Sequence, residues 1–195
     1  LKSGQAQWAP NIPPAQYTEA KSNPDLTMLE WTPANGTYRV LEFNTTRPFL
    51  ADKKVREAIA RSISRPDLIQ LAETGLGAPQ YSFINPANTT WYHQNVEKYD
   101  FDLTKAKALL QEAGYKLDGG KLLAPNGQAV APLTCYWPST SAPRGKIATY
   151  LQQQLKQLGV EIDVRGMDIN AYTDQVGKKK DFDLSLGTYG GGSID

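Results

Sequence analysis

Apolar residues that recur every three or four positions predict three amphipathic helices. Their apolar stripes are Val55, Ala58, Ile59 and Ile63 in the first helix, Leu103, Ala106, Leu109, Leu110 and Ala113 in the second, and Ile147, Leu151, Leu155 and Leu158 in the third. Asp52 and Asp102 precede the first two helices and can cap them, and Gly159 ends the third. The polar face of the first helix holds Arg56 and Arg61, which we expect to be solvated surface charges.

Short apolar runs bounded by turn residues predict strands between these helices. We expect strands at 26–31, 38–43, 121–123, 128–137, 160–164 and 182–186, and short helices at 14–21, 67–71 and 170–176. The turn at 126–127, an Asn-Gly pair, predicts that 121–123 and 128–137 form a hairpin. In the second half of the chain strands alternate with helices, which favours βαβ units and a sheet covered on both sides. No linker divides the pattern, so the sequence predicts a single α/β domain.

The composition limits the classes of partner. The 195 residues are 40% hydrophobic, enough for the core of one large domain. The 21 basic and 20 acidic side chains leave a net charge of +1, so nothing favours binding to nucleic acid or to an anionic membrane surface. The single cysteine, Cys135, lies in an apolar run and predicts a buried thiol. No run approaches the roughly 20 apolar residues of a membrane span. The abrupt ends and the missing start methionine lead us to expect a fragment of a longer protein.

Catalytic and metal-binding patterns are missing from the sequence. His93 is the only histidine and no GxSxG motif accompanies it, so a Ser-His-Asp triad has no support. One histidine and one cysteine are too few for a zinc site built from several such ligands. No carboxylates have the spacing of a calcium loop. We therefore expect no catalytic residue, no metal site and no cofactor.

Two loops at the carboxyl ends of predicted strands hold the side chains best suited to ligand contacts. The residues concerned are Trp137, Ser139 and Arg144 in the first loop, and Tyr189, Gly190, Gly191 and Gly192 in the second. Arg144 can instead be a charge on a helix surface, and Tyr189 can instead pack at the end of its strand. The three glycines can cradle a phosphate only if a helix follows them. Otherwise they let a ligand approach the backbone closely.

Long segments of the chain resemble the family 5 solute-binding proteins, the extracytoplasmic receptors of peptide and nickel ABC importers. The family signature has its counterpart in YRVLEFNTTRPFLADKKVREAIARSISRP at 38–66, and the second cassette in YDFDLTKAKALLQEAGY at 99–115. The final strands of the family resemble LQQQLKQLGVEIDV at 151–164 and DFDLSLGTYGGGSID at 181–195. The likeness extends over nearly the whole chain, and its segments occur in the family's order.

The resemblance implies a fold and a location for the site. It implies an α/β, periplasmic-binding-protein-like lobe of type II, similar to cluster C, with a mixed sheet flanked by helices. Residues 1–195 would form a single lobe of a two-lobed protein, with a hinge-proximal segment at 1–24 and the lobe body at 25–195. Loops at both strand ends and at 170–174 would face the ligand cleft, which adds Tyr172 and Asp174 to the expected site.

The function that the resemblance implies is solute capture without chemistry. The full protein would be the substrate-binding component of an ABC importer, in the periplasm or outside the cell and held there by a lipid anchor. It would close two lobes over an oligopeptide, or over an oligosaccharide or a metal chelate, and deliver the solute to permease subunits. Peptide-binding members usually carry an acidic residue after the last strand, whereas here that loop has no carboxylate before Asp195. The alternatives are a hydrolase or transferase fragment with its catalytic residues in missing sequence, and a sensor module derived from a binding protein.

Overall fold

The computed structural model describes residues 1–9, 12–30 and 36–190. Its helices are a 3-10 turn at Pro14–Gln16, α1 Tyr17–Ser22, α2 Pro48–Ala51, α3 Lys53–Arg61, α4 Arg65–Glu73, α5 Leu103–Glu112, α6 Ala142–Lys156 and α7 Ile169–Tyr172, which continues as a π-helical turn at Thr173–Lys178. Its strands are β1 Tyr38–Phe43, β2 Lys116–Asp118, β3 Lys121–Leu123, β4 Leu133–Pro138, β5 Ile162–Met167 and β6 Leu184–Tyr189. The three amphipathic helices of the sequence pattern are α3, α5 and α6.

One four-stranded mixed sheet organises the chain, with the strand order β1-β6-β4-β5. β4 runs parallel to β5 and to β6, and β1 is antiparallel to β6. The segment β4-α6-β5 is the predicted βαβ unit, because α6 returns the chain along the sheet so that β5 can pair in parallel. The α/β fold class and the mixed sheet are therefore confirmed.

Side-chain alternation gives this sheet one apolar and one polar face. The apolar face holds Leu41, Phe43, Leu133, Cys135, Ile162, Val164, Leu184 and Leu186, which pack into one core with residues of α3, α5 and α6. On the other face Glu42 lies opposite Ser185, and Tyr38 lies opposite Tyr189. Here α7 packs against β4 and brings Tyr172 to Ser185. Helices thus lie against both faces, but the core lies on one of them.

Local sequence signals set the ends of the main helices. The carboxylate of Asp52 accepts a hydrogen bond from the backbone N–H of Lys54 at 2.7 Å, and Asp102 accepts one from Lys105 at 2.8 Å. Both aspartates therefore cap their helices, as predicted. Gly159 follows α6 with a left-handed φ of +75°, a conformation that an L side chain adopts only at a cost.

One strand prediction is wrong and a second is confirmed only in part. Residues 26–30 form no strand, and residue 31 lies outside the described residues. The predicted hairpin of 121–123 with 128–137 forms only next to its turn, where Leu123 bridges Ala129 and the N–H of Val130 donates to the carbonyl oxygen of Leu122 at 2.8 Å. β3 also pairs with β2 through a tight turn at 119–120, where both glycines have positive φ. β4 itself lies inside the main sheet, where it pairs with β5 on one edge and with β6 on the other.

The expectation for the arginines of α3 is also wrong. Arg61 is 7% exposed, pairs with Glu57 (Nε–Oε1 2.9 Å), and lies 5.3 Å from the centre of the Tyr99 ring. Arg56 is half-buried and donates to two backbone carbonyl oxygens of α2, at 2.8 Å each. Tyr99, in the loop between α4 and α5, thus packs on Arg61, and α2 packs on Arg56. The periodicity of α3 alone indicates neither contact.

Candidate functional site

Most of the side chains that the sequence predicts to contact a ligand lie at the carboxyl ends of β4 and β6. These two parallel strands end at Pro138 and Tyr189, beside the first residues of the antiparallel β1. Open α/β sheets place their ligands outside the carboxyl ends of their strands. This carboxyl edge of the sheet is therefore the candidate site.

Trp137 is wedged between α6 and β5. A Cβ atom added at Gly145 would lie 2.9 Å from the indole, and one added at Gly166 would lie 2.8 Å from it. The indole is half-buried against the core. Ser139, in the loop that follows, is exposed, and its N–H donates to the carbonyl oxygen of Met167 at 2.8 Å. The two glycines thus make room for an indole that supports the loop after β4.

Arg144 brings a half-buried positive charge to the carboxyl edge. Its Nη2 donates to the hydroxyl of Thr188, and its Nε is buried without a hydrogen-bond partner. Burial, and after it the positive charge of Arg39, lower the pKa of Arg144. Arg39 also donates to Thr188 (Nη1–Oγ1 3.4 Å) and pairs with Glu73. Among the residues that the structure describes, no carboxylate forms an ion pair with Arg144.

Glu42 forms a second polar cluster, on the opposite face of β6. Its carboxylate accepts hydrogen bonds from the hydroxyls of Ser185 and Tyr189. The side chain lies over Gly187, where an added Cβ would come within 3.3 Å of the carboxylate, and it extends toward the carboxyl edge. The hydrogen bond to Glu42 raises the pKa of Tyr189 to about 12, because a phenolate would face a carboxylate there.

Tyr172 reaches the same cluster from α7. Burial raises the pKa of Tyr172, and a hydrogen bond with Ser185 opposes that change. The charge of Glu42 also raises the pKa of Tyr172 and that of Arg144 lowers it, so both groups are near enough to act on this phenol. A negative and a positive group therefore flank the end of β6, where consecutive side chains point to opposite faces of the sheet.

Three aromatic rings lie beside the Glu42 cluster. The ring centre of Tyr38 is 6.1 Å from that of Tyr189 and 6.3 Å from that of Phe83. Phe83, from the loop after α4, is 77% exposed, and Tyr189 is 47% exposed. The rings thus form an open apolar surface next to a carboxylate, and aromatic side chains of this kind commonly line ligand sites.

The remaining predicted site residues lie apart from these clusters or outside the described chain. Asp174 forms ion pairs with two lysines of its own segment, at 2.7 and 3.8 Å, and the closer lysine is the main cause of its lowered pKa. Gly190 is exposed at the end of β6. Gly191, Gly192 and Asp195 lie outside the described residues.

Glu42, Ser185 and Arg39 were not predicted as site residues. The available signal was polarity within apolar strands: YRVLEF places Glu42 between Leu41 and Phe43. A carboxylate in such a run is costly to bury without partners, which marks the position as paired or functional. The partners themselves follow only from the pairing of β1 with β6.

Other chemistry has little support in the described residues. No three or more His, Cys, Asp and Glu side chains within 1–9, 12–30 and 36–190 are grouped so that they could hold a metal ion. No helix in these ranges has the length and apolarity to cross a membrane. Cys135 lies in the core, and burial raises its pKa to about 12. A shallow pocket at the amino end of β4 is lined by Arg47 and Asp183, which pair with each other at 3.1 Å.

Proteins of similar sequence are solute-binding proteins. The family described as bacterial extracellular solute-binding proteins, family 5 Middle, matches residues 1–195. The glutathione-binding protein GsiB of Shigella flexneri is 31% identical over 168 residues, which are 86% of this chain and 30% of that protein. The protein of the same name from Escherichia coli has the same identity and coverage. The chain thus spans 30% of the length of these curated relatives.

Solved structures of similar fold are also those of binding proteins. The oligopeptide-binding protein AppA of Bacillus subtilis, in complex with a nonapeptide, aligns with a TM-score of 0.79 at 26% identity over 92% of this chain and 36% of that one. NikZ of Campylobacter jejuni, in complex with Ni(L-His), aligns with a TM-score of 0.77 over 94% of this chain and 35% of that one. At 22% identity this second likeness shows a shared fold alone.

The resemblance of the sequence segments to this family is confirmed by the match over the whole chain. The fold of the described residues agrees with it, because a mixed α/β sheet superimposes on part of larger binding proteins. The chain therefore belongs to family 5 of the bacterial extracellular solute-binding proteins, a family of binding proteins and not of enzymes.

Proposed function

We propose that the protein containing this chain is the substrate-binding component of an ABC importer and that these residues form one of its lobes. Family membership and the share of the relatives that the chain covers, 30% of GsiB and 36% of AppA, support this proposal. In it, residues 1–24 lie near the hinge and residues 25–195 form the lobe body. The lobe closes with a second one over the solute and presents it to permease subunits. The protein acts in the periplasm or outside the cell, held by a lipid anchor.

The proposed solute is an oligopeptide or a similar compound. The observation that carries this proposal is the pair of opposite charges at the carboxyl edge, Arg144 and Glu42, neither of which forms an ion pair with another described residue. A peptide supplies both a carboxylate and an ammonium group. Its apolar side chains suit the exposed rings of Phe83 and Tyr189. The glutathione of the glutathione-binding protein GsiB and the nonapeptide in the AppA complex belong to this class.

The residues of the expected site take different roles in this proposal. Arg144, Tyr172 and Tyr189 contact the solute, and Trp137 positions the loop that carries Ser139. The glycines after β6 leave the backbone open to the ligand. Asp174 does not contact the solute and instead stabilises its own segment through ion pairs with Lys178 and Lys179.

Calorimetry on the full-length protein tests the proposal. The probes are alanine peptides of increasing length, glutathione, a nickel–histidine complex and a maltooligosaccharide. Peptides are expected to bind and to be recovered unchanged, as mass spectrometry of the mixture would show. Exclusive binding of the sugar or the metal complex would contradict the peptide assignment, and product formation would contradict the binding role itself.

A matched pair of arginine variants tests the site. Arg144→Gln is expected to weaken peptide binding about 10- to 100-fold, since a hydrogen bond to a charged group contributes about 1.5–3 kcal/mol. Arg165→Gln is the control, because Arg165 is exposed on β5 and already pairs with Asp163 at 2.6 Å. Equal affinity in the two variants would show that the carboxyl edge is not the binding surface.

A further inference from the structure

We propose that Glu42 recognises a protonated primary amine of the solute, in an ammonium subsite formed by Glu42, Tyr172, Ser185 and Tyr189. This inference rests on the proposed function and names one part of the solute. Three features of the cluster support it: its uncompensated charge, its free acceptor positions and the space over Gly187.

The first feature is a negative charge that no described residue neutralises. The hydrogen-bond partners of Glu42 are the hydroxyls of Ser185 and Tyr189, which are neutral donors. Within 1–9, 12–30 and 36–190, no lysine or arginine forms an ion pair with Glu42. The carboxylate is half-buried, and a charge in such a position is costly until it meets an opposite one. A cationic ligand group removes this cost.

The second feature is the acceptor capacity that remains. An ionised carboxylate offers about four acceptor positions on its two oxygens. Tyr189 uses one position on Oε1, and Ser185 uses one on Oε2. An ammonium group has three donors, so it can donate to a free position of Glu42 and to the hydroxyl oxygens of Tyr172 and Tyr189. The hydroxyls meanwhile hold the carboxylate in one orientation, which lowers the entropy lost when a ligand binds.

The third feature is the shape of the strand beneath the carboxylate. A Cβ at Gly187 would lie 3.3 Å from both Cδ and Oε1 of Glu42 and 3.2 Å from Cγ2 of Val40. Glycine at this position lets the carboxylate lie against β6 and reach the carboxyl edge. There the rings of Tyr38 and Tyr189 offer faces to a cation and to the carbon atoms next to it.

Binding of paired probes to the full-length protein tests the inference. One pair is trialanine and N-acetyl-trialanine, which differ in the α-ammonium group. The other pair is N-acetyl-Ala-Lys-Ala and the same peptide with an acetylated lysine, which differ in the side-chain ammonium group. The wild type is expected to bind the charged member of one pair about 10- to 100-fold more tightly, the range for a hydrogen bond to a charged group. The pair that shows the preference identifies the source of the amine.

Variants assign that preference to Glu42. Glu42→Gln keeps the shape and the hydroxyl partners but removes the charge, so it is expected to bind both members of the pair equally. Gly187→Ala keeps the charge but displaces the carboxylate, so it is expected to reduce the preference. Glu112→Gln is the control, since Glu112 is exposed on α5 and pairs with Lys54. Thermal unfolding of each variant shows whether it remains folded.

The outcomes separate this inference from the function on which it rests. Peptide binding without a preference for the amine in either pair would overturn the ammonium subsite and leave the importer proposal intact. A preference that persists in a folded Glu42→Gln variant would also overturn it. Failure of every peptide to bind the wild type would overturn the peptide proposal and this inference together.

Discussion

Replacing Gly159 by alanine separates the two reasons for a glycine after α6. The first reason is local, because Gly159 has a φ of +75°. The second is a tertiary contact, since an added Cβ would lie 2.5 Å from Cδ1 of Leu117, 2.6 Å from the backbone nitrogen of Leu122 and 2.9 Å from the carbonyl carbon of Lys121. Two of these are backbone atoms of the β2-β3 hairpin, which cannot rotate away. Gly127 is the matched control, with a φ of +82° and no atom within 4 Å of an added Cβ.

The expected losses follow from these geometries. A left-handed φ costs alanine about 1–2 kcal/mol, and the smaller freedom of the unfolded chain offsets about 0.4–1 kcal/mol of that. Gly127→Ala should therefore lower the free energy of unfolding by about 1 kcal/mol. Gly159→Ala has the same backbone cost and an overpacking cost of about 1–3 kcal/mol, so its loss should be about 2–4 kcal/mol. The clash also strains the hydrogen bond that Leu122 N–H donates to the carbonyl oxygen of Gly159 at 2.9 Å.

Urea unfolding of the 195-residue chain, followed by circular dichroism, measures both losses. Gly159→Ala should unfold at a clearly lower urea concentration than Gly127→Ala. In a thermal scan the difference of about 2 kcal/mol corresponds to about 4–8 °C for a chain of this length. Equal losses for the two variants would refute the packing of the hairpin on the end of α6, and a negligible loss for both would refute the left-handed conformation as well.

Comparison of the wild type with Tyr189→Phe by ultraviolet absorbance is expected to reveal a phenol that ionises near pH 12, because this hydroxyl donates to the carboxylate of Glu42. The pKa of Tyr189 in the folded state lies above the ordinary value of 10, so the stability from this hydrogen bond is complete below pH 10 and disappears as the pH rises toward 12. If the free energy of unfolding differed between wild type and Tyr189→Phe by the same amount from pH 10 to 12, this hydrogen bond would be contradicted. The thiol of Cys135 should not react with a thiol reagent near neutral pH until the chain unfolds, since burial raises its pKa to about 12, and rapid labelling of the folded chain would disprove its burial. Arg61→Ala should cost about 3 kcal/mol in urea unfolding, because it leaves the carboxylate of Glu57 poorly solvated and without its partner, and a loss below about 1 kcal/mol would indicate a solvated pair.

Elements with strong local signals were predicted well. α3, α5 and α6 have apolar residues at helical spacing, and β1 occupies the predicted range of 38–43. The caps at Asp52 and Asp102 also have local causes, since each side chain bonds to a backbone N–H two or three residues away. Predictions that depended on distant partners were less successful. Within the predicted strand 128–137, only the first residues pair with β3, whereas β4 pairs with β5 and β6, and no feature of the residues themselves indicates this division.

The candidate site shows the same division. Trp137, Arg144, Tyr172 and Tyr189 were predicted from loops after strands and from the family resemblance, and the structure places them at or near the carboxyl edge. The role of Trp137 as a packed support was not predicted, because Gly145 and Gly166 come from two other elements. Arg61 was wrongly predicted to be a surface charge for the same reason, since the Tyr99 ring beside it is distant in sequence. Arg56 was missed because its partners belong to α2, a short helix that the periodicity of α3 does not indicate.

By itself, then, the sequence determined the family, the α/β class and the main helices, because periodicity, capping and turn chemistry act over a few residues. Only the tertiary structure decided which polar groups meet at the end of β6. Glu42 and Ser185 are separated by 143 positions, and Arg144 and Thr188 by 44, so their contacts exist only once the strands have paired. The register of β1 against β6 turned one glutamate in an apolar strand into a half-buried carboxylate at the candidate site.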